Sequence, residues 1–292
     1  MSDINIDLME YSSDALAQAA YVSSDATAPV AYTHFKLNED AASTAVDDTG
    51  SGDNDGTSVG NTSAYSVVGK ILDAFEFNGT NETVTADAIA TNTQSDTTGS
   101  VSWWQKTSDI NDVIWAWGDA DGNAYMQANQ NANKLNVILR ETGGQQFNFL
   151  VNHDVNDGEW WHFVVVQNGT QVVIYTNGAL ETDITRSVTT DEGAWLADAV
   201  FDRFNLAARD YNSGGDASFW AGTIDDWRYY KNTALTLAQV QEIYNSGNGT
   251  ESELAINLQS YSESTIKTQG SYSLKGVAVT TDSLNDTLTK TL

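Results

Sequence analysis

An acidic, glycine-rich loop is the segment of the sequence best suited to holding a metal ion. Between Asp47 and Asp55 the chain carries four Asp, one Asn and two closely spaced Gly. Hard oxygen ligands on a flexible turn are what Ca²⁺ coordination requires. The spacing differs from the regular EF-hand pattern, so a calcium site here would have irregular geometry.

Two further stretches place aromatic rings beside carboxylates and amides. Trp115-Ala116-Trp117 runs directly into an Asp/Gly/Asn turn, and Asp210-Tyr211-Asn212 offers a second such set. Rings that stack on a sugar face, next to groups that bond its hydroxyls, are typical of glycan sites. The predicted glycan ligands are Trp117, Asp119, Asp121, Tyr211 and Asn212. The alternative is that Trp115 and Trp117, two residues apart on one strand face, both belong to the core.

No stretch of the sequence predicts catalysis. Retaining glycosidases need two carboxyl groups about 5 Å apart, and the nearest approach to an alternating acidic run, Glu181-Thr182-Asp183, lacks its second Glu. There is no Cys, no G-x-S-x-G sequence and no phosphate-binding glycine loop. His34 and His162 fall in predicted strands, where a packed or hydrogen-bonded role is expected. We therefore predict that the protein is not an enzyme.

The net charge of the chain limits the kinds of molecule that it is expected to bind. The 292-residue chain has 40 acidic and 13 basic residues, for a formal charge of −27. Such a field repels phosphate backbones and anionic lipid, so neither nucleic acid nor a membrane is an expected partner. No apolar run reaches the ~20 residues of a membrane span, and Met1 to Glu10 shows no signal-peptide pattern.

The elements that must position these residues are short strands. From Tyr32 to Trp227, β-like runs alternate with Gly, Asn and Asp clusters, which is typical of an all-β sandwich. Asn177-Gly178 supplies the positive φ angles of a tight hairpin turn. One helix is predicted from Leu237 to Asn245, with Thr236 and Gln239 as a capping box, and a second from Asp14 to Tyr21.

Four stretches, in order, resemble the laminin-G-like (concanavalin A-like lectin/glucanase) superfamily. They are Phe35-Lys36-Leu37-Asn38 with the acidic loop, Phe75-Glu76-Phe77-Asn78-Gly79-Thr80, Asp157-Gly158-Glu159-Trp160-Trp161-His162-Phe163-Val164 with Tyr175-Thr176-Asn177-Gly178, and Phe219 to Tyr230 with Leu235 to Tyr244. The resemblance covers about residues 30 to 247. It implies an all-β jelly-roll sandwich with one short C-terminal helix, and it is not specific for a ligand, because the fold hosts lectins, adhesion modules, decoration domains and hydrolases.

The same resemblance completes the predicted metal site. It implies that the acidic loop can meet the strand Ile224-Asp225-Asp226, so the predicted Ca²⁺ ligands are Asp48, Asp225 and Asp226, with carbonyls completing the shell. The alternative is a solvated Asp/Gly turn, with Asp225 capping backbone amides.

The flanks look like segments of phage and environmental viral structural proteins, at residues 7–22 and 261–275. The expected domains are an anchoring segment at 1–29, the sandwich at 30–250 and a β segment at 251–292, with the two flanks forming a small β-rich module or pairing with another subunit.

The leading hypothesis from the sequence is a non-enzymatic virion structural protein, a capsid decoration or fibre subunit. It predicts location on the virion surface or outside the cell, and a homo-oligomer or attachment to other assembly subunits. The alternative is a free lectin module for cell-surface glycans, followed by a glycoside hydrolase or lyase.

Overall fold

The structure is a computed structural model and describes residues 28–212 and 214–251. Within these residues the chain forms two antiparallel β-sheets that pack face to face, with two short α-helices. The predicted all-β sandwich is confirmed. The predicted helix at 14–21, the predicted terminal β module and both viral-type flanks lie outside the described residues.

The strands are short and follow one another closely along the described chain. They are β1 Thr33–Phe35, β2 Ala45–Val46, β3 Gly56–Ser58, β4 Ser66–Val68, β5 Asp73–Asn78, β6 Val84–Thr85, β7 Gly99–Lys106, β8 Val113–Gly118, β9 Tyr125–Asn131, β10 Lys134–Glu141, β11 Gly144–Val151, β12 Trp160–Gln167, β13 Val172–Thr176, β14 Ala179–Leu180, β15 Ile184–Thr189, β16 Arg203–Leu206, β17 Arg209–Asp210, β18 Asp216–Ala217 and β19 Ala221–Lys231. The helices are α1 Asp87–Thr93 and α2 Leu237–Tyr244.

Sheet A has the strand order β14-β13-β12-β7-β19-β5-β4, and β1 also pairs with β19. Sheet B has the order β15-β11-β10-β9-β8-β16-β6-β3-β2, and β17 and β18 form a separate hairpin. Central strands therefore pair with partners far away in sequence, as β7 does with both β12 and β19. Bringing such distant segments together costs conformational entropy, and burial of the core must compensate that cost.

Turn chemistry and side-chain alternation explain why these segments are strands. The β13–β14 turn has positive φ at both Asn177 and Gly178 (50° and 76°), as a two-residue hairpin turn demands. In β10, Leu135, Val137 and Leu139 enter the core while the residues between them face outward.

The core between the sheets is dominated by aromatic rings. Trp103 meets Trp115 edge-on at 5.3 Å between centroids, and Trp117 contacts Trp227 at 6.0 Å and Phe204 at 4.8 Å. All five side chains are completely buried. Because large apolar rings contribute most of the buried area, this cluster supplies the stability that a chain without disulfides needs.

Helix α2 packs on the outer face of sheet A. Thr236 Oγ1 accepts a hydrogen bond from the Gln239 N–H, and the Thr236 N–H donates one to the Gln239 side-chain oxygen, which confirms the predicted capping box. Val240 and Ile243 are its buried residues, whereas Leu237, the first residue of the helix, is 43% exposed. No helix in the described ranges has the length and apolar character of a membrane span.

Candidate functional site

Asp48 stabilises the acidic loop through backbone amides. One carboxylate oxygen accepts the N–H groups of His34 at 2.7 Å and Gly50 at 2.8 Å, and the other accepts that of Asn54 at 2.8 Å. The side chain is nearly buried. Three amide donors therefore occupy the carboxylate that was predicted to bind a metal.

Asp225 also accepts hydrogen bonds from backbone amides, which is the alternative to metal binding given in the sequence analysis. Its Oδ2 accepts the N–H groups of Lys70 at 2.7 Å and Ile71 at 2.8 Å. Burial raises the pKa of Asp225 to about 8, because the amides compensate only part of the lost hydration.

Asp226 belongs to a buried ion-pair network. It sits at a β-bulge in β19 with a φ of 52°, and its Oδ1 meets His34 Nε2 at 2.6 Å and Arg228 Nε at 2.9 Å. Burial alone would raise the pKa of Asp226, but Arg228 and His34 hold it below the usual range.

The structure does not assemble the predicted metal ligands into one site. Within residues 28–212 and 214–251 no group of three or more His, Asp or Glu side chains is arranged to hold a metal ion. Asp48 is hydrogen-bonded on both oxygens, whereas Asp225 and Asp226 each retain one buried oxygen without a hydrogen-bond partner. Calcium binding by the protein stays a prediction, without a ligand set that the described residues bring together.

Trp117 requires a correction as a predicted glycan ligand. It is completely buried in the core, and its indole N–H donates to Thr93 Oγ1 at 3.2 Å. Trp115 is equally buried and meets Trp117 edge-on. Both rings follow the strand periodicity into the core, so neither can stack on a bound sugar.

The other four predicted glycan residues do come together at one end of sheet B, and we call this set the rim. It comprises Asp119, Asp121, Tyr211 and Asn212. The Asn212 N–H donates to the Asp119 carbonyl at 3.0 Å, and the Asp121 N–H donates to the Asp119 carboxylate at 3.1 Å. Asp119 also lines a cavity of about 460 Å³, together with residues of the β10–β11 turn and 197–200. The rim is partly exposed and faces solvent.

Two residues beside the rim were not predicted, Tyr125 and Arg209. Tyr125 and Tyr211 meet edge to face at 5.3 Å, and the Arg209 guanidinium lies 4.8 Å and 4.1 Å from their ring centroids. Arg209 also donates to Gln127 Oε1 at 2.7 Å. Tyr125 could have been found from its alternation with the buried Met126, but Arg209 reaches β9 only because the β17–β18 hairpin folds back over the sheet.

The hairpin crosses sheet B where the sheet has small residues. A Cβ atom on Gly118 would collide with the carbonyl oxygen of Asp210, and Ala116 in the same strand is also covered. Asn205 of β16 donates to Asp216 in the hairpin at 3.0 Å. The small residues Ala116 and Gly118 on the outward side of β8 thus allow the hairpin to lie directly on the sheet.

Charges behind the rim are largely paired. Arg203 lies between the carboxylates of Asp202 and Asp210, each at 3.4 Å, with Asp87 at 3.8 Å. Burial, and secondarily the nearby Asp210, raises the pKa of Asp216. Arg203 and Arg209 are outnumbered here by the carboxylates of Asp87, Asp119, Asp121, Asp202, Asp210 and Asp216, which leaves this end of the sandwich electronegative.

Comparison with known proteins identifies the family. The family model for laminin G domains of the concanavalin A-like lectin/glucanases superfamily matches residues 78–241, more than half of the chain. The chain belongs to this superfamily. This confirms the family resemblance drawn from the sequence, whereas the viral resemblance of the flanks stays a prediction. A search of curated proteins finds no match.

Several solved structures resemble the chain in fold at low sequence identity. The binding domain of botulinum neurotoxin serotype C1 aligns with a TM-score of 0.53 and 15% identity, over 74% of this chain and 52% of that one. The binding domain of Paraclostridial Mosquitocidal Protein 1 aligns with a TM-score of 0.52 and 11% identity, over 75% and 52% of the two chains. The sialidase CBM40 module of Ruminococcus gnavus, solved with α2,3-sialyllactose, gives 0.46 and 14% identity, over 61% and 96%. At these identities the similarity to the two toxin binding domains shows the fold alone.

Proposed function

We propose that this superfamily domain is a non-enzymatic, lectin-like module that binds a glycan at the rim. The observation that carries the proposal is the pair of tyrosine rings around Arg209, set next to Asp119 and Asn212 on a partly exposed surface. Apolar ring surface together with convergent donors and acceptors is the chemistry that recognises a hydroxylated ligand.

The surroundings of the rim favour binding over hydrolysis. A glycosidase needs one protonated and one ionised carboxyl group facing the same bond. Here Asp202 and Asp210 pair with Arg203, and Asp216 accepts a hydrogen bond from Asn205. A hydrolase remains the third hypothesis, and sustained release of reducing ends from a polysaccharide would favour it.

Binding to a glycan array, followed by calorimetry on the best ligand, tests the proposal. We expect Tyr211→Ala to weaken binding by about tenfold or more, because a stacked ring contributes at least about 1.4 kcal/mol to such a site. Tyr32→Ala is the matched control, since Tyr32 is also a half-buried tyrosine under a cation, Lys231, but lies away from the rim. Equal affinity of the two variants would contradict the assignment of the rim, and the absence of any glycan ligand would contradict the function.

A more specific proposal concerns location: the module is displayed on a virion, as a decoration or fibre subunit. Its support is the sequence, through the viral resemblance of the flanks and the acidic, cysteine-free composition. Light scattering on the full chain should show an oligomer. A stable monomer, or a gene neighbourhood without capsid or tail genes, would count against it.

A further inference from the structure

The turn between β12 and β13 holds the side chain of Asn168 through its carbonyl oxygen. Asn168 Oδ1 accepts the backbone N–H groups of Thr170 and Gln171, each at 3.0 Å, and the Thr170 hydroxyl at 2.7 Å. Residues 168–171 are all exposed. Three donors therefore converge on one amide oxygen in a turn that is open to solvent.

The residue after Asn168 is Gly169, whose backbone nitrogen can act as an intramolecular nucleophile. Gly169 has no side chain to hinder the approach of this nitrogen to Asn168 Cγ, and its φ of 90° lies in the region that favours glycine. Its N–H donates to Gln167 Oε1 at 2.9 Å. The Gln167 amide is fixed in turn by donating to the carbonyls of Glu192 and Ala194. The fold therefore defines the position of the N–H that has to react.

We infer that Asn168 is a site of spontaneous modification, at which the chain closes a cyclic imide and then opens to aspartate or isoaspartate. A hydroxide ion from the solvent removes the Gly169 N–H proton, and the nitrogen forms a bond to Asn168 Cγ. The bond from Cγ to Nδ2 then breaks, and the side-chain nitrogen takes a proton from water and leaves as ammonia. Water adds to either carbonyl of the imide, so a carboxylate replaces the amide without a change in oxidation state.

The three donors at Asn168 favour the ring-closing step. Negative charge develops on Oδ1 as the nitrogen attacks, and donors that are already oriented toward an oxygen stabilise such a charge. Two backbone amides and one hydroxyl here form the equivalent of an oxyanion hole. Because they are exposed to water, we expect each to contribute less than the roughly hundredfold of a donor in a buried enzyme site.

The chain contains three other Asn-Gly pairs, which begin at Asn78, Asn177 and Asn248. Asn78 Oδ1 also accepts two backbone N–H groups. Its side-chain nitrogen, which would have to leave, is however retained by Asn81 Oδ1 at 3.0 Å. The side-chain nitrogen of Asn248 donates likewise, to the Asn245 carbonyl at 3.1 Å. Both contacts oppose the loss of ammonia.

The pair at Asn177 is restrained by the sheet. The Asn177 N–H donates to the His162 carbonyl at 2.8 Å, and Asn177 Oδ1 accepts the His162 N–H at 2.9 Å. Gly178 is buried against the ring of Tyr244. Ring closure here would have to displace a core-facing hairpin, so we expect this pair to react slowly.

Formation of isoaspartate at residue 168 would alter one edge of sheet A. Aspartate keeps a side-chain oxygen that can accept from Thr170 and Gln171. In isoaspartate the backbone runs through the former side chain and is one methylene longer, so these N–H groups lose their acceptor. Strand β13 follows directly and lies next to the terminal strand β14. Ageing of the protein would therefore loosen the β12–β13 hairpin.

Peptide mapping of aged protein by mass spectrometry tests the inference. The full chain is kept in mildly alkaline buffer, either native or unfolded in urea, and conversion to aspartate or isoaspartate is followed at each Asn-Gly pair. In the native protein we expect Asn168 to react about tenfold or more faster than the other three asparagines. In urea all four should react at similar rates, because the reacting dipeptide is the same.

Two variants test the role of the donors. Thr170→Val removes the hydroxyl and keeps the shape of the side chain, and it should slow the reaction at Asn168 about fivefold. Thr170→Ser, which retains the hydroxyl, should react at the native rate. The other three pairs report on folding in the same sample, since their rates would rise to the urea values if a variant unfolded. A native rate at Asn168 no faster than at the other pairs, or an unchanged rate in folded Thr170→Val, would overturn the inference.

Discussion

Replacing Asp225 by Asn should remove a large part of the pH dependence of stability. The native pKa of Asp225 is about 8, whereas the unfolded carboxyl group titrates near 3.8. Between these values the unfolded state has lost its proton and the native state has kept it. Stability is therefore fully present below the lower value and decreases as the pH rises to the higher one. Each pH unit corresponds to about 1.4 kcal/mol, so three units amount to about 4 kcal/mol.

Urea unfolding followed by tryptophan fluorescence, from about pH 5 to about pH 8, measures this effect. The difference in unfolding free energy between Asp225→Asn and the native sequence should grow by about 4 kcal/mol in favour of the variant. Other titrating groups are common to both proteins and cancel in the difference. The Asn oxygen can still accept from the Lys70 and Ile71 amides, so the turn should remain intact.

Glu159→Gln, an exposed acid, is the control and should show no such trend. A pH-independent difference for Asp225→Asn would refute the reasoning, because it would mean that the native carboxylate is already ionised at about pH 5. A bound calcium ion would have this effect. Repeating the series with EDTA and with CaCl₂ therefore also tests the calcium prediction.

Three further predictions concern separate parts of the fold. Burial lowers the pKa of His162 to about 3, so the contribution of the neutral imidazole to stability is present above about pH 6.5 and is lost as the pH falls. The His162→Gln variant should therefore lose less stability to urea than the native protein between about pH 6.5 and 4. An unchanged slope of stability against pH would contradict this. Thr236→Ala should lower the unfolding free energy by about 1 kcal/mol through the lost helix cap, and Thr236→Ser, which restores the hydroxyl, should recover most of it. Gly118→Ala should displace the β17–β18 hairpin and weaken glycan binding more than thermal stability, whereas retained affinity would show that the hairpin does not organise the rim.

Features that depend on local chemistry could be predicted from the sequence. The Asn177-Gly178 turn and the Thr236–Gln239 capping box were found because a few adjacent residues determine each backbone conformation. Helix α1 was missed for the corresponding reason. It is seven residues long and begins after Ala86, which provides no side-chain cap, so the local sequence carries no start signal.

The candidate site was only partly predictable, because it depends on contacts between distant strands. Asp119 and Tyr211 could be selected by residue type, whereas strand periodicity offered the core as the alternative for the neighbouring Trp117 and did not decide between the two. The partnership of Arg209 with Gln127 spans 82 positions along the chain and arises only when the hairpin lies on β9. The sequence left the role of Asp225 open for the same reason, since the amides that it caps are 154 and 155 positions away.

The β17–β18 hairpin also bears on how such a domain can diversify. It lies outside the two packed sheets, and its contacts with them pass through glycine, alanine and a few polar side chains rather than through the aromatic core. Insertions or deletions at its tip would reshape the rim while leaving the aromatic core of the sandwich untouched. Ligand preference at the proposed rim site can therefore change by loop exchange, without the loss of stability that core substitutions impose.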